Sequence, residues 1–222
     1  MLEYYGGDEY DLVEYVDHMG DDEAVCDAAR VSMDKKADIY SVAQNAKLID
    51  YLARCNHWSP FSHCTVKMRF KAPLFIARQL MKHQVGFSWN EVSRRYVSTK
   101  PYFWLPWELR MKAENVKQGS SQTVHPDNES MKLDIAHLTE NAYEVYDTLV
   151  KAGVCPEQAR MVLPQNMMTE WIWTGSLYAW SRMYHLRADP HAQFECQIYA
   201  KLVSKVCDKL YPMSWRALRE AK

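Results

Sequence analysis

Hydrophobic and polar side chains alternate with two different periods along the chain, and these periods predict strands in some segments and helices in others. Residues 64–71 alternate strictly until Ala72 and Pro73, as in a strand with one face in the core and the other basic. A second strand is predicted near residues 12–16, and a third begins in residues 94–97. The sheet is therefore expected to be antiparallel or mixed.

Helical periods of three and four residues dominate the rest of the chain. They recur over residues 39–54 and over residues 131–151, and Gly153 is suitably placed to end the second helix. Residues 190–210 carry apolar side chains on more than one face, which indicates a helix that is well buried or lies at a subunit contact. Residues 114–128 are polar and predict an exposed loop. These elements favour an α/β (α+β) fold with a mainly antiparallel sheet flanked by helices.

Composition limits the number of domains and the classes of partner. The 222 residues are 48% hydrophobic, enough for a substantial core, and we expect a single domain over residues 1–222. A formal net charge of −1 argues against binding to nucleic acid or to an anionic membrane. No apolar stretch is long enough to cross a bilayer, and the N-terminal residues lack the pattern of a signal peptide, so a cytoplasmic location is expected. The six cysteines form no CxxC pair, and most of them are interpreted as small buried hydrophobes.

One short segment, residues 77–96, combines cations with amides, hydroxyls and an imidazole, a set suited to gripping phosphate oxygens. Its basic side chains are those of Arg78, Lys82, Arg94 and Arg95, together with His83. Pro73 is placed to open a helix in which Arg78 and Lys82 share a face, because they are four residues apart. The segment therefore predicts an anionic ligand.

A second dense segment covers residues 186–193. Asp189 before Pro190 is typical of an N-cap followed by proline at the first helical position, which would place Arg187 just outside a helix N-terminus. Free N–H groups at such a terminus favour negative charge. A second anion pocket is predicted there.

These residues resemble the signature of the flavin-dependent thymidylate synthases, which reads Arg-His-Arg, a short spacer, and Asn-Glu-x-Ser-x-Arg-Tyr. Here it stands as Lys82-His83-Gln84 followed by Asn90-Glu91-Val92-Ser93-Arg94-Arg95-Tyr96. Further matching blocks keep the family's order along the chain, at residues 28–32, 57–61, 159–164 and 186–193. Five blocks in register make coincidence an unsatisfactory explanation.

The resemblance implies a mixed α/β homotetramer in which FAD, dUMP, a folate and NADPH meet at subunit interfaces. The implied reaction is the reductive methylation of dUMP to dTMP, with methylenetetrahydrofolate as one-carbon donor and FAD, reduced by NADPH, as hydride carrier. It needs neither a cysteine nucleophile nor a metal ion. Ser93 has no visible base to activate it and is assigned to phosphate binding instead.

The resemblance also implies roles for individual residues. Those matching dUMP-binding positions are Gln79, Glu91, Ser93, Arg94, Arg95, Arg160 and Arg187. Arg187 is in addition the catalytic candidate, since it matches an arginine thought to favour ionisation of the uracil at N3. Those matching FAD positions are Ser32, His57, Ser59, Lys82, His83, Gln84, Glu91, Ser176, Tyr178, Arg182 and His191.

Several positions depart from the family pattern. Lys82 keeps the charge of the usual arginine without its bidentate fork, and Gln84 has no charge. Tyr178 stands where the family often has arginine and Arg182 where it often has asparagine, so the guanidinium has moved by one helical turn. Residues 85–89 contain one extra residue. These departures predict altered contacts with FAD and an unchanged reaction.

Two other classes of protein stay open at this stage. A metal-dependent hydrolase could draw ligands from His57, His63, His83, Asp189 and His191, although their spacing matches no metal template. A non-catalytic nucleotide-binding protein could keep the fold while losing turnover. The Met- and Trp-rich residues 167–173 are interpreted as core or interface packing.

Overall fold

A four-stranded antiparallel sheet organises the computed structural model, which describes Leu2, Tyr4 and residues 12–97, 99–114 and 119–221. The strands within these residues are β1 (Val13–Met19), β2 (Thr65–Pro73), β3 (Phe87–Glu91), β4 (Arg110–Lys112), β5 (Ser120–Val124) and β6 (Met168–Ser176). The large sheet has the order β1-β2-β6-β3, and β4 pairs with β5 in a separate hairpin. The expected mixed α/β fold with a mainly antiparallel sheet is confirmed.

The strands predicted near residues 64–71 and 12–16 are confirmed as β2 and β1. The strand predicted in residues 94–97 is wrong, because β3 ends at Glu91 and a turn follows in which the Tyr96 amide donates to the Ser93 carbonyl. The Arg94 side chain donates to the Thr99 carbonyl across the same loop. Side-chain and turn hydrogen bonds therefore replace the strand ladder after β3.

Nine helices of four or more residues occur in the described part of the chain. They are α1 (Asp22–Arg30), α2 (Val42–Arg54), α3 (Ser59–Ser62), α4 (Leu74–Leu80), α5 (Asn128–Lys151), α6 (Pro156–Ala159), α7 (Leu177–Arg187), α8 (Phe194–Leu210) and α9 (Pro212–Glu220). None of them is both long enough and apolar enough to span a membrane.

The helices predicted over residues 39–54 and 131–151 are confirmed. A capping box at Ser41 and Gln44 starts α2, so this helix begins three residues later than predicted. Gly153 follows α5 with a φ of 89°, and its amide donates to the Val150 carbonyl, as expected for a glycine that ends a helix.

One further helix boundary and one loop differ from the prediction. The helix α4 does begin after Pro73, but it ends at Leu80, so Lys82 lies beyond it and shares no helical face with Arg78. The polar residues 114–128 include β5, whose Ser120 hydroxyl accepts from the Arg110 Nε at 2.8 Å; residues 115–118 lie outside the described residues. The sequence did not predict this surface hairpin, because both of its strands are solvated and their composition is that of a loop.

The core lies on one face of the large sheet and is rich in indole rings. Phe70 of β2 is fully buried and stacks on Trp171 of β6 at 5.1 Å and on Trp180 of α7 at 6.0 Å between ring centroids. Trp173 is likewise fully buried and meets Phe70 and Trp180 edge-on. The packing predicted for residues 167–173 is confirmed, and β6 supplies the platform on which α7 rests.

Candidate active site

One large cavity, of about 1240 Å³, opens where β3 ends beside α4. Of the predicted dUMP residues, four line it: Glu91, Ser93, Arg94 and Arg160. Arg78 of α4 and Lys100 add further basic side chains to the wall. A cavity of this volume with several cations can accommodate a phosphorylated ligand.

The Glu91 carboxylate in this cavity is held in a fixed orientation by two donors. The Thr169 hydroxyl donates to its Oε1 at 2.7 Å, and the Trp89 indole N–H donates to its Oε2 at 3.3 Å. Sequence reasoning missed Thr169. Its signal was available, because Thr169 occupies a core-facing position in the alternation of β6 and is only 8% exposed, so its hydroxyl needs a partner.

The three arginines near Ser93 are placed differently. The Arg160 Nε donates to the Glu157 carbonyl at 3.3 Å. The two outer nitrogens of its guanidinium form no ion pair with an acid of the described residues. Burial lowers the pKa of Arg94, which still remains a cation. The Arg95 Nε donates to the Ser93 hydroxyl at 3.2 Å and its guanidinium stacks on Tyr96, and Arg95 is absent from the described lining of the cavity.

A second set of predicted residues meets around Arg187. The Arg187 Nε donates to Nε2 of His83 at 2.9 Å, and its Nη2 donates to the Gln79 carbonyl at 3.3 Å. Burial lowers the pKa of His83 to about 4, helped by the positive charges of Arg187 and Arg182. His83 is therefore neutral near pH 7, and its Nε2 can accept the hydrogen bond.

Arg187 does not lie outside a helix N-terminus as predicted. It occupies the last turn of α7, and the next helix begins only at Phe194, so Asp189 caps no helix. The Asp189 carboxylate instead accepts from the His191 amide at 2.7 Å, and this bond lowers the pKa of the Asp189 carboxyl. A turn closed by the Asp189 side chain thus replaces the expected N-cap. The positive charge at this place is therefore that of Arg187 alone, without a contribution from a helix N-terminus.

The loop that carries Lys82, His83 and Gln84 is packed tightly against the start of α7. Gly86 has a φ of 81°, and a Cβ at this position would lie 2.9 Å from Ala179 Cβ and 3.2 Å from Ser176 Oγ. Only glycine satisfies both the backbone conformation and this close approach. The Ser176 hydroxyl is itself engaged, since it accepts from the Ala179 amide as the N-cap of α7.

Lys82 and Arg182 add two exposed cations to this region. Neither makes a hydrogen bond or an ion pair with any other part of the chain that the structure describes. The positive charges of Arg182 and Arg187 both act on the neutral His83, and among the described residues no carboxylate forms an ion pair with either arginine or with Lys82. An anionic group would be attracted to this cluster.

A third set of predicted residues forms an exposed aromatic surface next to α7. The Tyr178 hydroxyl donates to Asn56 Oδ1 at 3.0 Å, and its ring lies 6.1 Å from that of Trp58, which is 53% exposed. His57 meets Tyr51 edge-on at 5.8 Å. Sequence reasoning named His57 and Tyr178 without Trp58, although the exposed Trp58 indole, next to His57 in sequence, offers a stacking surface.

The remaining FAD candidates have fewer contacts. Ser59 is the first residue of α3, His191 is exposed beside Asp189, and the Ser32 hydroxyl donates to the Ala29 carbonyl at 3.3 Å. In a single chain the predicted residues therefore form three sets: the cavity, the Arg187 cluster and the aromatic surface. Helix α4 connects the first two, because Arg78 lines the cavity while the adjacent Gln79 carbonyl holds Arg187.

Most of the cysteines are buried as expected, namely Cys26, Cys64, Cys196 and Cys207, whereas Cys55 and Cys155 are exposed. Burial raises the pKa of Cys26 to about 11 and those of Cys64 and Cys196 to about 12, so these thiols are poor nucleophiles. Across the described residues, no three His, Cys, Asp or Glu side chains are grouped in a way that could hold a metal ion. The cations that line the cavity and lie around His83 favour an anionic ligand.

Comparisons with known proteins agree with this geometry. The family model described as "Thymidylate synthase complementing protein" matches residues 14–213. A flavin-dependent thymidylate synthase of Thermus thermophilus is 39% identical over 209 residues, which cover 94% of this chain and 76% of the relative. One of Thermosipho africanus is 38% identical over 210 residues, which cover 93% and 90%.

The fold is also that of a solved enzyme. The crystal structure of the UMP/dUMP methylase PolB from Streptomyces cacaoi, bound with 5-Br dUMP, superposes with a TM-score of 0.85. It is 31% identical in sequence, and the match covers 94% of each chain.

Proposed function

This chain belongs to the flavin-dependent thymidylate synthase family, and we propose that its large cavity and its Arg187 cluster together bind dUMP for methylation. The enzyme converts dUMP to dTMP with methylenetetrahydrofolate as one-carbon donor and NADPH as reductant, and it depends on FAD. The observation that carries the proposal is the gathering of Glu91, Ser93, Arg94 and Arg160 in one cavity.

In the proposed site, the 5′-phosphate of dUMP is bound by the cavity arginines and Ser93. Planar guanidinium groups present paired N–H donors that match phosphate oxygens, and the Arg160 group has its outer nitrogens directed at no acid of the described chain. Ser93 supplies a hydroxyl that already accepts from Arg95, so it can donate its own proton to the ligand. Glu91, held by Thr169 and Trp89, offers a preoriented acceptor for a ligand hydroxyl or N–H group.

Arg187 is proposed to act on the uracil ring. Its guanidinium is a fixed positive charge whose partners in the described chain are both neutral, so it stabilises negative charge that develops on the ring at N3 and the adjacent oxygen. Preorganisation matters here, because a donor that needs no reorientation lowers the barrier more than a mobile one does.

The residues next to α7 fit FAD in their chemistry. Lys82 and Arg182 are cations without acidic partners in the described residues and suit its pyrophosphate, whereas Trp58 and Tyr178 offer flat surfaces for its rings. When bound, FAD reduced by NADPH supplies the hydride and mediates transfer of the one-carbon unit to uracil C5. The further FAD contacts that we propose from the resemblance are Ser32, His57, Ser59, His83, Gln84, Glu91, Ser176 and His191.

We further propose that the site is completed by self-association, as a homotetramer. The aromatic surface, the Arg187 cluster and the cavity form separate sets in one chain. Helix α5 also leaves Met131, Leu138 and Val145 exposed at seven-residue spacing, at 38%, 66% and 49%. Apolar side chains repeated in this way suit a helix that packs against another copy. A cytoplasmic location and a single domain over residues 1–222 are part of the same proposal.

Purified protein tests the function directly. We expect a yellow protein with a flavin spectrum that is bleached by NADPH, and release of tritium from dUMP labelled at C5 when methylenetetrahydrofolate is present. Flavin binding without tritium release would favour the non-catalytic nucleotide-binding protein. Colourless protein with stoichiometric zinc would favour the hydrolase. Light scattering after gel filtration gives the number of copies.

A further inference from the structure

We propose that His83 is a positioning residue for Arg187, and that its neutral imidazole fixes the direction of the guanidinium without compensating its charge. The inference rests on the proposed function, in which Arg187 acts on the uracil ring. It gives His83 a role in addition to the FAD contact that the resemblance implies.

The hydrogen bonds of Arg187 carry the inference. An arginine side chain has five N–H donors, and here one at Nε is directed at His83 Nε2 and one at Nη2 at the Gln79 carbonyl. Three donors remain, two on Nη1 and one on Nη2, and none of them has a partner in the described residues. The two donors, Nε and Nη2, flank one side of the planar group, so the bonds fix its plane and leave Nη1 and one N–H of Nη2 available to a ligand.

His83 can play this part because of its surroundings. The side chain is half-buried, and the positive charges of Arg187 and Arg182 face it, so protonation is disfavoured and the pKa falls to about 4. A neutral ring that accepts at Nε2 must carry its proton on Nδ1. The contact with Arg187 therefore selects one tautomer of His83.

The choice of a neutral acceptor has a consequence for catalysis. A carboxylate would orient the guanidinium equally well, but it would cancel much of the field that a ligand experiences. The acid nearest in sequence, Asp189, is directed at His191 instead, and no Asp or Glu of the described chain forms an ion pair with Arg187. Imidazole and carbonyl acceptors thus leave the full positive charge for the uracil.

Two substitutions separate positioning from other roles. His83→Leu removes the acceptor, whereas His83→Gln places an amide oxygen near the position of Nε2 and cannot be protonated. We expect His83→Leu to lower kcat by about 10- to 100-fold, since a misdirected donor loses its transition-state contact, and His83→Gln to recover most of this loss. The control is His185→Leu, two residues before Arg187 on α7, where Nε2 faces the Leu218 carbonyl, and its kcat should stay within about twofold of the wild type.

A double-mutant cycle tests whether His83 acts through Arg187. In an Arg187→Lys background the side chain lacks the Nε–H group that donates to His83. His83→Leu should therefore lower kcat in that background by no more than about twofold. A second readout is the N3 pKa of bound 5-bromo-dUMP, measured by ultraviolet absorbance with FAD saturating. It should rise in His83→Leu and return towards the wild-type value in His83→Gln.

Three results would overturn the inference. The first is an unchanged kcat and an unchanged N3 pKa in His83→Leu, and the second is an equal loss in both Arg187 backgrounds. The third is a loss explained entirely by weaker FAD binding, measured by flavin fluorescence, with activity restored at saturating FAD. The proposed function would fail separately, through a wild-type protein that forms no dTMP.

Discussion

Gly86 packs closely against α7, and adding a single methyl group by the substitution Gly86→Ala tests this contact directly. In Gly86→Ala the new Cβ would lie 2.9 Å from Ala179 Cβ and 3.2 Å from Ser176 Oγ, with the backbone at a φ of 81°. A non-glycine residue at positive φ costs about 1 to 2 kcal/mol, and forced overpacking adds about 1 to 3 kcal/mol. We expect the free energy of unfolding to fall by about 2 to 5 kcal/mol.

Gly153→Ala is the matched control, because it has the same backbone strain without the crowding. Gly153 has a φ of 89°, and a Cβ there would meet nothing within 4 Å. Its substitution should cost only the conformational part, about 1 to 2 kcal/mol. The difference between the two variants therefore measures the contact between the loop and α7.

The assay is urea unfolding of the FAD-free protein at one fixed protein concentration, followed by tryptophan fluorescence. A second measurement is the Kd for FAD, since the displaced loop carries Lys82 and His83. We expect the Kd to rise about tenfold in Gly86→Ala and to stay unchanged in Gly153→Ala. Equal destabilisation by the two substitutions would refute the close packing of this loop on α7.

Three further predictions test the core, the cavity and the charge state of His83. Phe70→Ala should lower the free energy of unfolding by about 3 to 5 kcal/mol in the same urea assay, because Phe70 is fully buried among three indole rings. Thr169→Val should weaken dUMP binding by about 5- to 30-fold by calorimetry, because Glu91 loses its 2.7 Å donor; an unchanged Kd would remove Glu91 from the dUMP site. Because the pKa of His83 is about 4 in the folded chain against an ordinary 6.5, its contribution to stability is fully present above pH 6.5 and is lost as the pH falls through about 4. The loss is roughly 3 kcal/mol at most, and His83→Gln should abolish this part of the acid sensitivity in urea titrations at pH 7 and pH 4.

The elements predicted correctly from the sequence are those whose hydrophobic pattern depends only on neighbouring residues. The strict alternation of β2 and the repeating apolar positions of α5 were sufficient, since each depends only on neighbouring residues. The start of α8 was misplaced, because Asp189 and Pro190 carry the signal of an N-cap while the Asp189 side chain is taken by His191. Two different turns share that signal, and the sequence alone does not distinguish them.

The resemblance predicted which residues contact a ligand, but it did not predict which residues contact one another. His83 and Arg187 are 104 positions apart, and their contact exists because Gly86 allows the loop after α4 to lie on α7. The same packing brings Arg182 towards His83 and thereby helps to keep the imidazole neutral. A glycine with no chemistry of its own thus helps to place a histidine beside the proposed catalytic cation. For this reason, the substitutions at Gly86 and His83 should both misdirect the Arg187 guanidinium and thereby lower kcat. Both losses of kcat should be smaller when Arg187 is already replaced by lysine.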